Sequence, residues 1–158
     1  MSFGTGHHAT TYMMLQQMRS IDFNKKSVFD FGTGTGVLAI LAEKLNAEKI
    51  LATDIDEWSI NNATENIAGN SCSKIKIYRS AIVPTATKFD IILANINKNV
   101  ILENLSSLNN QLNPNGTLLL SGLLIDDKDD VLNVASSLDL KVFNTIERNK
   151  WLSIRLQN

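Results

Sequence analysis

Seven consecutive residues, Asp30-Phe31-Gly32-Thr33-Gly34-Thr35-Gly36, lie between a short apolar run and a segment with helical apolar spacing. Glycines in such a turn let the backbone bend sharply and come close to a ligand, because a side chain there would take up the ligand's space. Gly32, Gly34 and Gly36 are spaced G-x-G-x-G and position 37 is Val, so the G-x-G-x-x-G pattern that seats a dinucleotide pyrophosphate on a helix amino terminus is not met. Asp30, ahead of the first glycine, is unfavourable beside a pyrophosphate and suits a ligand carrying an ammonium and a sulfonium. Asp54 closes the next apolar run, about 20 residues beyond the loop, a place from which a carboxylate accepts hydrogen bonds from ribose hydroxyls. The set implies an adenosyl ligand without phosphates.

Other polar residues divide between ligand and structural duties. Asp56, followed by Glu57 and a helical run, reads as a helix N-cap. Ser80 ends a third strand, either beside an adenine or in a surface turn. His7 and His8 read as solvated loop residues, and with Cys72, the single cysteine, they are too few for a zinc cluster. One cysteine also allows no intrachain disulfide, which fits a reducing cytoplasm.

The elements that must position these residues alternate short apolar runs with amphipathic segments, the pattern of strand-helix-strand units in a mostly parallel sheet. Ser27 to Phe31, Lys49 to Thr53 and Ile75 to Tyr78 read as the first three strands. Val37, Leu38, Leu41, Ala42 and Leu45, then Ile60, Ala63 and Ile67, mark the helices after the first two. Asp90 to Ala94 is continuously apolar after its first residue, as in a strand covered on both faces. Ile101, Leu102, Leu105, Leu108 and Leu112 form the next helix, stopped by Pro114, Asn115 and Gly116. Thr117 to Leu124 is a buried strand, and a helix runs from near Asp126 to about Leu138. Leu140 to Ile146 and Trp151 to Leu156 finish the chain, and the alternation of Leu152, Ile154 and Leu156 with Ser153 and Arg155 suits a half-buried antiparallel strand at the end of a mixed sheet.

With 158 residues the chain fits one domain, and 44% apolar and 20% charged residues are ordinary globular proportions. The formal charge of -1 supplies no global basic field for nucleic acid phosphates. No stretch reaches the roughly 18 apolar residues that a membrane span needs, and the amino terminus is too polar for a signal peptide. The expectation is a cytoplasmic monomer with no direct nucleic acid or membrane binding.

The acid-x-Gly-x-Gly-x-Gly loop, the acid ending the second strand, and Asn113-Pro114-Asn115-Gly116-Thr117-Leu118 before the fifth strand together resemble class I methyltransferases over almost the whole chain. More narrowly, Phe3-Gly4-Thr5-Gly6-His7-His8-Ala9-Thr10-Thr11, Ala94-Asn95-Ile96 and Leu120-Ser121-Gly122-Leu123 resemble the PrmA family, which methylates ribosomal large-subunit protein eleven. The resemblance implies a Rossmann-like α/β fold: a mostly parallel seven-stranded sheet with an antiparallel final strand and helices on both faces. It implies one catalytic domain over residues 1–158, with a cofactor-covering loop and helix in 1–26 and the sheet core in 27–158. Its cofactor would be S-adenosyl-L-methionine. Phe3, Gly4, Thr5 and Gly6 would form a loop over it, with Thr10 or Thr11 near its methionine end. Asp30, Gly32, Gly34, Gly36, Asp54, Ile55, Ser80 and Asn95 would complete the cofactor contacts. Where this chain has His7-His8-Ala9 the family commonly has Thr-His-Pro. The family also carries an amino-terminal substrate-recognition domain that these residues do not contain, so the resemblance makes Met1 a candidate for an internal position of a longer protein.

By the same resemblance, Asn95 and the backbone carbonyl of Ile96 would face the acceptor amine, and no metal is involved. The acceptors would be lysine side chains, and an α-amino group, of a ribosomal large-subunit protein. Methylases of nucleic acid bases typically carry Asn-Pro-Pro-aromatic at this place, whereas this chain has Asn95-Ile96-Asn97-Lys98. An RNA or small-molecule methyltransferase is the second reading, and a noncatalytic nucleotide-binding domain of the oxidoreductase type the third.

Overall fold

The computed structural model describes residues 4–158, with side chains from His8 onward. Helix α1 spans Gly4–Met18, strand β1 Ser27–Phe31, α2 Val37–Lys44, β2 Lys49–Asp54, α3 Glu57–Gly69, β3 Ile75–Arg79 and β4 Phe89–Asn95. Then follow α4 (Lys98–Asn110), β5 (Leu112–Leu124), a 3-10 turn at Ile125–Asp127, α5 (Lys128–Ser137), β6 (Lys141–Arg148) and β7 (Trp151–Gln157). Among the described residues seven strands form one sheet in the order β3-β2-β1-β4-β5-β7-β6. The first five strands pair in parallel, and β7 runs antiparallel to both β5 and β6. This is the Rossmann-like fold that the alternating pattern and the motifs anticipate.

Both faces of the sheet are covered because its central strands are apolar on both sides. Phe29, Ile92, Leu118, Leu120 and Ile154 face one core, which α4 and α5 close with Ile101, Leu105, Leu108, Val131 and Ala135. Phe29 stacks on Phe89 there, with ring centroids 5.1 Å apart. Val28, Ile50, Ala52, Ile91 and Leu119 face the second core, closed by Met14 and Met18 of α1 and by Leu38, Ala39 and Ala42 of α2.

Four details differ from the sequence reading. Helix α4 ends at Asn110, and Leu112 already pairs with Phe89 as the first residue of β5. Pro114-Asn115-Gly116 therefore lies within β5 rather than stopping the helix. Gln111 caps α4 and its carbonyl accepts the Phe89 N–H, so pairing with β4 ends the helix before the proline is reached. At the other end of β5, α5 begins at Lys128, after the 3-10 turn.

The position of β7 is the third difference. It is flanked by β5 and β6, and β6 forms the edge of the sheet, with Lys141 to Asn144 exposed. Ser153, expected on a solvent face, is fully buried: its hydroxyl donates to Leu120 O at 3.1 Å and accepts from Gln17 Nε2 at 3.2 Å. Gln17 in turn accepts from Asn144 Nδ2 at 3.3 Å, so α1 is bound by polar contacts to both antiparallel strands.

The fourth concerns the amino terminus. Gly4, Thr5, Gly6, His7 and His8, expected in a loop, belong to α1, and Phe3 lies outside the described residues. Ala9, Met13 and Gln17 recur at four-residue spacing and are all buried, which gives the helix an inward face from Ala9 to Gln17. Among the described residues no helix is long and apolar enough to cross a membrane.

Candidate active site

The glycine loop leaves β1 and is tied at once to the end of β2. Gly32 N–H and Thr33 N–H both donate to Thr53 O, at 2.9 and 2.8 Å, and Gly34 N–H donates to Asp54 Oδ2 at 2.8 Å. Asp54 Oδ1 accepts the Asp56 N–H at 3.0 Å. Each oxygen of Asp54 thus accepts one backbone donor and keeps lone-pair capacity for another. Asp56 is the N-cap of α3, accepting from Trp58 N–H at 3.3 Å and the Ser59 hydroxyl at 3.0 Å, which holds its carboxyl below the ordinary range.

A cavity of about 610 Å³ opens at the carboxyl ends of β1, β2 and β4, the place where open α/β sheets gather ligands. Of the residues expected in the site, Thr11, Gly32, Gly34, Asp54, Ile55, Ser80, Asn95 and Ile96 line it. Thr10, Asp30 and Gly36 do not, and Thr10 and Asp30 are buried beside it. The glycines have separate duties. Gly34, at φ +57°, would direct a Cβ into open space, whereas a Cβ on Gly36, at φ +84°, would stand 3.2 Å from Ala63 Cβ. Gly34 keeps the cavity clear, and Gly36 lets α2 start close against α3.

Asp30 is fully buried beneath the loop. Its Oδ2 accepts the Thr33 hydroxyl at 2.7 Å, while Oδ1 has no donor among the described residues. Burial pushes its carboxyl up to about 7; the Thr33 hydrogen bond opposes the shift, and the charge of Asp54 adds to it. The charge facing the cavity therefore comes first from Asp54 and Glu103, the charged side chains among the described residues lining it. Both are acidic.

On the opposite wall, Asn95 ends β4 and its Nδ2 donates to Thr11 Oγ1 at 3.4 Å, which leaves Oδ1 as the acceptor of that amide. Ile96 N–H donates to Ser121 O at 3.1 Å, and Asn97 caps α4 by accepting Val100 N–H at 3.0 Å. Lys98 then reaches Asp130 at 2.6 Å and Asp127 at 3.6 Å, tying the start of α4 to the region after β5. Ser59, Val100, Glu103 and Asn104 also line the cavity and were not singled out in the sequence. Their only sequence signal is that each lies one or two turns into a helix that follows a ligand-facing strand end.

Among the described residues on these walls a pyrophosphate would meet no cation, whereas a positively charged adenosyl ligand meets two carboxylates and an open glycine edge. The match to known proteins agrees with that chemistry. The family model "Ribosomal protein L11 methyltransferase (PrmA)" matches residues 1–158. A ribosomal protein L11 methyltransferase of Porphyromonas gingivalis is 41% identical over 157 residues, covering 98% of this chain and 54% of the relative. Its counterpart in Chlorobaculum tepidum is 42% identical over 159 residues, covering 97% and 55%. The chain thus spans about half the length of the curated relatives it matches. The crystal structure of a ribosomal protein L11 methylase from Lactobacillus delbrueckii subsp. bulgaricus superposes with a TM-score of 0.90 at 28% identity, covering 95% of this chain and 78% of that one. A methyltransferase from Pyrococcus furiosus shares the fold, with a TM-score of 0.78 at 21% identity over 99% of this chain and 86% of its own. On the match over its whole length, the chain belongs to the ribosomal protein L11 methyltransferase (PrmA) family.

Proposed function

We propose that this chain binds S-adenosylmethionine in the cavity and is the transferase part of an enzyme that N-methylates amino groups of a ribosomal large-subunit protein. The observation that carries the reading is the cavity's chemistry: acidic Asp54 and Glu103 on its walls, the open edge at Gly34, and the amide of Asn95 in the same lining. In this reading Asp54 accepts from the ribose hydroxyls, Ile55 and Ser80 border the adenine, and Thr11 lies toward the methionine end. Asp30 supports the loop from below. Residues 1–158 act as one catalytic domain in which the segment 1–26 covers the cofactor, and the reaction belongs in the cytoplasm.

When bound, S-adenosylmethionine supplies an electrophilic methyl group on sulfur. The chain's own residues must then align an amine and keep it unprotonated, since a lysine amine has an ordinary pKa of about 10.4. Asn95 Oδ1 and the Ile96 carbonyl are acceptors that orient the amine through its N–H groups and leave its lone pair free. Desolvation in the cavity favours the neutral amine further.

The test has two arms. Calorimetric titration should give tight binding of S-adenosylmethionine or S-adenosylhomocysteine and none of nicotinamide dinucleotides; the reverse preference would overturn the cofactor. Methyl incorporation should then appear in a ribosomal large-subunit protein and not in RNA offered alongside it. Labelled RNA would move the reading to an RNA methyltransferase.

A further inference from the structure

Ile96 is held from two sides by glycines. On one side its Cγ2 occupies the space that a Cβ on Gly32 would take, so the side chain packs on the cofactor loop. On the other, its peptide group lies on Gly122: an ideal Cβ there would overlap Ile96 O and stand 2.7 Å from Ile96 C and 3.0 Å from Ile96 N. Gly122 lies outside the cavity lining and sits at a register shift of β5 between Leu120 and Leu123, with φ +89°. The Ile96 N–H to Ser121 O bond closes the clasp.

We propose that Gly122 is a positioning residue for methyl transfer: by carrying no side chain it lets the Ile96 peptide settle on β5, and this fixes Asn95 relative to the cofactor loop. The proposal rests on the acceptor role given to Asn95 above. Two consequences follow from the contacts. Any side chain at 122 must push out backbone atoms rather than a flexible side-chain end, so the Asn95–Asn97 turn has to move. The cofactor loop is joined to that turn through Ile96 Cγ2, so the two walls of the cavity are set against each other by one residue.

Gly122→Ala tests this with three readouts. Affinity for S-adenosylhomocysteine should fall by a smaller factor than kcat, because the Asp54 contacts that hold the loop do not involve Gly122 or Ile96. Amide exchange at Ile96 should speed up by about tenfold or more, while Ile92 and Leu93 in β4 remain as protected as in the parent. In the chain extended to the length of its relatives, kcat on the ribosomal protein should fall by about 30-fold or more with little change in KM, as misplacement of a reacting group predicts. Parental kcat, or parental exchange at Ile96, would overturn the proposal. If the parent shows no transfer to ribosomal protein, the acceptor reading falls, while the exchange comparison still decides the clasp.

Should Gly122→Ala fail to fold, a double-mutant cycle replaces it. Gly32→Ala, strained in any case at φ +80°, should in addition strike Ile96 Cγ2, so it should cost more protection at residue 96 in the parent than in an Ile96→Ala background, where that atom is gone. Equal losses of protection in the two backgrounds would overturn the clasp.

Discussion

Asp54 carries two loads. Its carboxylate holds Gly34 N–H and Asp56 N–H while facing the cavity, so Asp54→Ala removes a ligand acceptor and also frees the loop. A hydrogen bond to a charged group contributes about 1.5 to 3 kcal/mol. We expect affinity for S-adenosylhomocysteine to fall by at least about tenfold, roughly 1.4 kcal/mol, with the fold retained by circular dichroism. Unchanged affinity would remove Asp54 from the ribose site. Asp30 predicts a pH effect of defined sign. Its carboxyl holds its proton up to about 7 in the folded protein, whereas an unfolded carboxyl loses it near pH 3.9. Between those values the folded state binds more protons, so Asp30 makes stability fall as pH rises through that window and has no further effect above it. The slope is at most about 1.4 kcal/mol per pH unit. Asp30→Asn still offers an acceptor to Thr33 and removes the titration. The variant should therefore gain stability relative to the parent between pH 5 and pH 8, measured by urea unfolding. A constant difference across that range would show that Asp30 is ionised throughout.

At the scale of elements, the glycine loop divides binding from packing. Gly34→Val adds bulk to the cavity and also forces a β-branched side chain into left-handed backbone at φ +57°, so it should weaken S-adenosylhomocysteine binding and lower stability together. Gly36→Ala presses α2 against Ala63 of α3 and forces a side chain into a left-handed backbone. It should lower stability by about 1 to 3 kcal/mol, read as a reduced urea midpoint. If both variants shift binding and stability in the same proportion, the division fails. Element order, the glycine loop and the strand-ending acids were legible because each is punctuation between apolar runs of distinct period. The start of β5 was not: Leu112 continues the helical spacing of Leu105 and Leu108, and only pairing with Phe89 turns it into strand. Nor was the place of β7. Alternation separates polar from apolar positions, but it cannot separate a serine in water from one buried against Leu120 O and Gln17, as Ser153 is. Glu103 and Asn104 look like the solvated face of α4, and their place on the cavity wall depends on where the β4 end stands across from β2.

At the scale of the whole chain, these residues span about half the length of the relatives they match. We expect this chain to bind S-adenosylmethionine while methylating the ribosomal protein slowly, because an acceptor without a docking partner must find the cavity as a free collision partner. Joining the remaining length of a relative covalently should raise methyl incorporation by about 10²-fold or more at equal cofactor saturation, through effective concentration and alignment. Equal rates would place the recognition surface within these residues.

The contact between α1 and β7 constrains how the chain comes into being. Gln17 and Ser153 are 136 residues apart in sequence, and the strand that carries Ser153 is inserted between two strands made before it. Within these residues, the first helix is thus tied down by the last strand. At a synthesis rate of about 5 to 20 residues per second, roughly ten seconds separate the making of Gln17 from that of its partner Ser153. Met14 and Met18 can pack on Val28, Ile50, Ile91 and Leu119 before β7 is made, so the polar tie of Gln17 is the late step and the apolar seat the early one.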